Sequence, residues 1–276
     1  MAAELVELND ITDIRELAEL FAEVWGRPGS PPIGPDVLKA LAHSGNYVVG
    51  AYRDRRLIGG LVGWLGGEPR HELHMHSHIL GVLPGIESHG LGFELKQHQR
   101  WWCLERGVNV MEWTTDPLVR RNGYFNLTKL GARAPEYLIN VYGEMQDGIN
   151  ASEESDRLLI RWRLDSPEAR AAAAGGAKEP DVDAIRASGA QVLLAVGESG
   201  SPAPSAGFAG TSPASGEVTS PLLIQVPEDV VTLRREQPAL ARAWRLALRE
   251  ALTNALAGGY EITGASRLGW YVLELQ

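Results

Sequence analysis

Three histidines alternate along one apolar segment of the chain. His74, His76 and His78 are separated by single residues, and residues two apart in a β-strand project from the same face. Imidazole titrates near neutrality, so His78 or His76 is a candidate proton acceptor if this face lines a cleft. Two other interpretations stay open: a polar row under a helix or on the surface, and a zinc site, for which no further ligand is evident.

A glycine-rich turn follows the same segment. The sequence runs from Leu80 through Pro84 to Gly90 and Gly92 and then enters a helical stretch. Free N–H groups at a helix start suit a phosphate group, and glycine permits close approach or positive φ. A dinucleotide site is disfavoured because Leu95 stands where its fingerprint needs a third glycine, and no Gly-Lys-Ser or Gly-Lys-Thr is present for a Walker loop. A strand-to-helix turn without a ligand remains the alternative.

Two motifs together resemble the GNAT N-acyltransferase superfamily. The string L-x-V-x-P-x-x-x-x-x-G-x-G, ending at Gly92, is similar to its motif A, and residues 121–132 are similar to its motif B. This resemblance covers residues 1–165. It implies an acyl-coenzyme A co-substrate and transfer of the acyl group to an amine. Residues 73–100 and 113–132 are also similar to a bacterial subgroup that includes amino-acid N-succinyltransferases, so acetyl-CoA or succinyl-CoA is the expected donor and an amino acid is a candidate acceptor.

The resemblance also implies which residues contact the co-substrate. The open edge of the fourth strand would bind the pantetheine arm, and the N–H of Gly81 or Val82 would stabilise the thioester oxyanion. The glycine turn would hold the pyrophosphate, and the motif B helix would add further contacts. The implied cofactor-binding residues are Leu80, Gly81, Val82, Leu83, Glu87, Ser88, His89, Gly90, Leu91, Gly92, Asn122, Phe125 and Lys129.

Two residues depart from the superfamily pattern. Glu87 stands where a Gln or Arg usually opens the pyrophosphate loop, so recognition would depend on backbone amides. Leu127 stands where many members have a tyrosine that acts as general acid. Tyr124, one helical turn earlier, is a candidate substitute, with a core role as the alternative. A coenzyme A thiol resembles cysteine, with a pKa of about 8.5, and can leave as a thiolate. A degenerate GNAT fold that binds acyl-CoA or another ligand without catalysis is therefore the second hypothesis.

The elements that position these residues form an α/β pattern, with the predicted order β-α-α-β-β-β-α-β-α-β-β over residues 1–165. Helices are predicted at 12–25, 36–42 and 123–130, and one strand at 137–142. Residues 166–276 form a predicted C-terminal β-α-β extension, packed on the first region, with a helix over 238–257 and a final hairpin. Its low-complexity linkers, 166–180 and 197–220, are expected to be mobile or disordered.

Composition excludes several classes of function. The net charge of -9 and pI near 5.3 argue against a general polyphosphate binder. Cys103 is the single cysteine, so no intrachain disulfide forms, and its apolar neighbours favour a core position. No signal peptide is evident, and no run reaches the roughly 18–20 apolar residues of a membrane span. We expect a cytoplasmic protein with a small-molecule amine as partner, no nucleic acid, no membrane and no metal; a homodimer stays open.

Overall fold

The computed structural model describes residues 3–67, 72–86, 90–143, 154–205 and 220–275. The chain divides into two compact units. The first comprises residues up to Trp113 together with Arg163–Asp165, and the second takes in the residues from Thr114 onwards apart from that short segment. The division into domains 1–165 and 166–276 stays a prediction.

The first unit has, in its described residues, the strand order β1-β2-β3-β4-β5. Strands β1 to β4 are antiparallel neighbours, whereas β4 and β5 are parallel. The elements are β1 (Glu4–Glu7), α1 (Ile11–Val24), α2 (Pro35–His43), β2 (Tyr47–Arg53), β3 (Arg56–Gly66), β4 (His74–Val82), α3 (Leu91–Glu105) and β5 (Val110–Thr115).

Helix α1 forms where apolar residues recur at helical spacing. Asp10 caps its start by accepting a hydrogen bond from the Thr12 N–H at 2.7 Å, as N-cap residues do. Leu17 and Phe21 are fully buried, and they lie close to the sheet because glycines face them. A Cβ at Gly81 would come within 2.9 Å of Phe21 Cδ1. The glycine therefore lets α1 pack directly against β4.

The second unit has the strand order β7-β6-β11-β12-β10-β8-β9. Its helix α8 buries Trp244, Leu248 and Leu252 along one face. The elements are α4 (Arg120–Gly123), a π-helical segment (Tyr124–Lys129), β6 (Arg133–Leu138), β7 (Arg157–Arg163), α5 (Pro167–Ala173), α6 (Val182–Ala187), β8 (Gln191–Val196), β9 (Pro202–Pro204), β10 (Leu222–Gln225), α7 (Val230–Glu236), α8 (Pro238–Ala257), β11 (Tyr260–Ala265) and β12 (Trp270–Leu275).

A buried charge cluster lies inside the second unit. Asp116 is buried and accepts hydrogen bonds from Arg234 and, at 3.2 Å, from Arg245. Arg157 Nη1 lies 4.0 Å from the same carboxylate. Burial alone would raise the pKa of Asp116, but the nearby guanidinium groups outweigh it and hold that pKa below its usual range. The cluster thus ties α7 and α8 to the residue that directly follows β5.

The mixed α/β architecture and helix 238–257 are confirmed, as is the C-terminal hairpin. The strand prediction at 137–142 is wrong, because β6 ends at Leu138 and Asn140 adopts a positive φ of 48° that turns the chain. The predicted helix 123–130 is instead α4 followed by the π-helical segment.

In the C-terminal region, helix α5 lies within 166–180, where composition predicted mobility, and helices α6 and α7 were not predicted. Most of the second low-complexity segment, residues 206–219, lies outside the described residues. None of the described helices is long and apolar enough to cross a membrane.

Candidate functional site

Strand β4 separates from β5 part of the way along its length. The two strands pair in parallel only from His74 to His76, where His76 lies opposite Glu112. On its other side, β4 stays paired with β3 as far as Val82, which lies opposite Gly59. Within the described residues, the β5-facing edge of β4 therefore has no strand partner from residue 77 onwards. We call this gap the β4–β5 opening.

The hydrogen-bond pattern shows which backbone groups face the opening. The Leu83 N–H donates to the Ile58 carbonyl at 3.0 Å, so it is directed toward β3. Backbone direction alternates along an antiparallel ladder, which directs the Gly81 N–H toward β3 as well and leaves those of Leu80 and Val82 facing the opening. Among the sequence-based candidates, Leu80 and Val82 thus have N–H groups directed to the opening, whereas those of Gly81 and Leu83 are directed toward β3. Gly81 serves α1 packing instead.

A bulge in β4 carries His78, the last histidine of the row. Ser77 lies opposite Gly63 and Ile79 opposite Val62, so His78 is the extra residue between two ladder pairs. Such a bulge re-aims the side chain that it carries. Here the His78 ring lies against Trp64, with ring centroids 4.6 Å apart.

The predicted histidine row is present, although the rings of its members differ in their surroundings. The His76 ring centroid lies 4.9 Å from that of Trp64 and 5.7 Å from that of His78. Burial, followed by the charges of neighbouring His78 and His74, lowers the pKa of His76 to about 4, and burial also lowers the pKa of His78. Both rings are therefore neutral at pH 7 and able to accept a proton. The large shift makes His76 a weak base.

Sequence reasoning missed Glu112. Its carboxylate lies 3.8 Å from His74 Nε2, at the end of the paired part of β4 and β5. The signal that could have found it is its place in β5, where a charged residue interrupts an apolar strand. A carboxylate beside a row of imidazoles provides a second proton acceptor in the same part of the first unit.

The turn before α3 has the geometry expected for an anion site. Gly90 precedes the helix with φ 85°, a left-handed conformation that favours glycine. The Phe93 and Glu94 N–H groups donate to the Gly90 carbonyl, and the N–H groups of Leu91 and Gly92 are among those that a helix start leaves without an intrahelical acceptor. Such groups suit a phosphate. The predicted contacts Glu87, Ser88 and His89 lie outside the described residues.

The second unit holds the remaining predicted residues. Tyr124, Phe125 and Lys129 line a cavity of about 590 Å³ together with Arg120, Arg121, Glu228 and Arg267. The Tyr124 hydroxyl accepts a hydrogen bond from Arg267 Nη2 at 3.0 Å. Asn122 is half-buried beside this segment, and its N–H donates to the Val119 carbonyl. Leu127 is 2% exposed and lies in the core.

Two alternative chemistries find no support in the described part of the chain. No group of three or more His, Cys, Asp or Glu residues there is arranged to hold a metal ion. Cys103 is fully buried, and burial raises the pKa of its thiol to about 12. A thiol with so high a pKa is a poor nucleophile, so the predicted core position of Cys103 is confirmed.

Comparison with known proteins agrees with this geometry. Residues 11–125 match the profile of the acetyltransferase (GNAT) family. The matched segment runs from α1 through the β4–β5 opening and α3 to the start of the π-helical segment. Over these residues the fold is thus that of the GNAT acetyltransferases. No curated protein matches the chain.

Several solved structures are similar to the chain. Naa50 from Arabidopsis thaliana, in complex with a bisubstrate analogue, has a TM-score of 0.47 at 17% identity and covers 59% of this chain and 99% of its own. The ribosomal-protein-S18-alanine N-acetyltransferase from Escherichia coli has a TM-score of 0.47 at 12% identity, covering 59% and 95%. An aminoglycoside acetyltransferase from an uncultured soil metagenomic sample, in complex with sisomicin, has a TM-score of 0.37 at 21% identity, covering 41% and 76%.

Proposed function

We propose that this protein is an acyl-CoA-dependent N-acyltransferase that moves an acetyl or succinyl group to the amine of a small molecule, such as an amino acid, in the cytoplasm. The observation that carries the proposal is the β4–β5 opening, together with the start of α3, where Gly92 lies close to Leu80 of the free edge. An extended thioester would bind along that edge, with its phosphates at the helix start.

The chemistry follows from groups at the opening. The Val82 N–H would donate to the thioester oxygen as negative charge develops, a type of contact that contributes about 2.7–4 kcal/mol in measured cases. His78, neutral at pH 7, would accept the proton of the attacking amine. The amine nitrogen forms a bond to the acyl carbon, the carbon–sulfur bond breaks, and the coenzyme A thiolate leaves. Tyr124 stays the sequence-based candidate for the proton donor to that thiolate.

A second candidate function is acyl-CoA binding without turnover. It is favoured by Leu127, which is buried where many GNAT enzymes have a tyrosine acid, and by the Tyr124 hydroxyl, which is already bonded to Arg267. A protein of this kind would keep the Gly90 turn and the free strand edge and would lack an effective proton donor.

Thiol release separates the two candidates. The protein is incubated with acetyl-CoA or succinyl-CoA and a panel of amines, and free coenzyme A is measured with a thiol reagent. Release that requires both partners supports the enzyme, whereas a coenzyme A-dependent rise in melting temperature without release supports the binding function. His78→Ala tests the base, with exposed His43→Ala on α2 as the matched control. If the protein releases no thiol and shows no melting shift with coenzyme A, both candidates are refuted.

A further inference from the structure

A lysine is buried beside the β4–β5 opening. Lys96 of α3 is 4% exposed. Its Nζ donates to Ser77 Oγ at 2.8 Å and lies 3.5 Å from the centroid of the Trp113 ring. Met111 Sδ, at 3.8 Å, is a third contact. Within the described residues, Lys96 forms no ion pair with a carboxylate.

These contacts fall at the point where the strands part. The last paired residues are His76 on β4 and Glu112 on β5, so Ser77 and Trp113 are the first residues beyond the pairing on each strand. The Lys96 amine therefore touches both sides of the opening, at its closed end. No backbone ladder between β4 and β5 holds the strands at this level, and side chains from α3 occupy that position.

Two side chains of helix α3 form hydrogen bonds with Ser77. Ser77 Oγ donates to Gln99 Oε1 at 2.7 Å while it accepts from Lys96. Ser77 is the residue immediately before the bulged His78. A serine fixed by two side chains of a packed helix restricts the backbone of the next residue, and hence the direction of the His78 ring.

An apolar side chain at position 96 would serve the fold better. Taking an amine out of water without a carboxylate partner is unfavourable, and burial lowers the pKa of Lys96 well below its usual range. Methionine has a similar length and fills such a space without that penalty. A residue that breaks a local rule of folding in this way points to a functional constraint.

We propose that Lys96 is a positioning residue: its amine connects Ser77 of β4 with Trp113 of β5 and thereby fixes the opening and the bulge that carries His78. The expected effect of Lys96 on turnover rests on the proposed acyltransferase function. Its effect on the structure of the opening can be measured independently of that function. Lys96 acts through Ser77 and takes no part in bond making.

The test uses the full-length protein with Lys96→Met, and with Leu95→Met as the matched control. Leu95 is a fully buried neighbour on α3, and its replacement keeps volume without touching the amine. In Lys96→Met we expect an equal or higher melting temperature, faster amide hydrogen exchange over residues 77–82, and a turnover number lower by about tenfold or more because the base is misplaced. The KM for acyl-CoA should rise by less than the turnover number falls, because the proposed phosphate contacts at the Gly90 turn are untouched.

A second variant keeps the proposal testable if Lys96→Met does not fold. Ser77→Ala removes the acceptor while leaving the lysine, and it should give the same faster exchange and lower turnover. The double variant should be no worse than Ser77→Ala alone, because that single variant already removes the contact between Ser77 and Lys96. Unchanged exchange over residues 77–82 in Lys96→Met would overturn the proposal, and so would the same changes in Leu95→Met. If wild-type protein releases no thiol with any donor and amine, the acyltransferase proposal fails, and hydrogen exchange still decides whether Lys96 holds the opening.

Discussion

Two glycines at the start of α3 should respond in opposite ways to alanine. A methyl group at Gly92 would meet one described atom within 4 Å, Leu80 Cδ2 at 3.7 Å, which is ordinary contact, and the φ of this glycine is not positive. Gly92→Ala should therefore raise the free energy of unfolding by about 0.4–1 kcal/mol, chiefly through lower entropy of the unfolded chain. The same methyl group would lie at the helix start, where the phosphates of acyl-CoA are proposed to bind.

The stabilisation by coenzyme A is large enough to be measured by thermal unfolding. With free coenzyme A at about 100 times its Kd, the ligand should stabilise the wild-type protein by about 2.7 kcal/mol. A tenfold weaker affinity in Gly92→Ala would reduce that stabilisation to about 1.4 kcal/mol at the same concentration. Thermal unfolding with and without coenzyme A measures both effects, and isothermal titration calorimetry gives the Kd directly.

Gly90→Ala is the matched comparison. Its φ of 85° is unfavourable for alanine, so this variant should lose about 1–2 kcal/mol of stability before any ligand is added. A stable Gly92→Ala protein that binds coenzyme A as tightly as wild type would refute the assignment of the helix start as the phosphate site. A loss of stability in Gly92→Ala would contradict the described packing around it.

Three further results are expected. His78→Ala should lower thiol release by about tenfold or more, because general base catalysis typically contributes at least that much; unchanged turnover would remove His78 from the mechanism. Asp116→Asn should cost about 3–5 kcal/mol in chemical denaturation, since it leaves buried arginines without their counter-charge, whereas exposed Asp183→Asn should cost far less. Because the folded-state pKa of Asp116 is lowered, its contribution to the free energy of unfolding is present above about pH 4 and is lost as the pH falls further. If the wild-type protein lost no more stability in acid than Asp116→Asn does, this expectation would be contradicted. Cys103, with its pKa raised to about 12 by burial, should react with a thiol reagent only on unfolding, and rapid labelling of the native protein would count against its core position.

Elements with strong local patterns were predictable from the sequence. Helix α8 begins and ends at the predicted residues, because its apolar residues recur at helical spacing and Gly258-Gly259 follow it. The glycine turn before α3 was recognisable because left-handed backbone at Gly90 favours one residue type. Local sequence carries such features since they depend on neighbours within a few residues.

Strand 137–142 failed for the opposite reason. Ile139, Val141 and Tyr142 are apolar, and their composition favours a strand, yet all three are exposed beyond the end of β6. Whether an apolar residue is buried depends on what packs against it, and no local pattern contains that information. The same limit explains why helix α5 was not predicted in the alanine-rich segment.

The chemistry at the β4–β5 opening was decided by tertiary structure. The sequence identified the histidine row and the strand edge, whereas the choice of Val82 over Gly81 follows from pairing with β3, and the special place of His78 follows from a bulge against that strand. Lys96 reads as an ordinary helix lysine until α3 packs over Ser77 and Trp113. Strand partners and helix contacts join residues distant in the chain, so their geometry exists only once the chain has folded.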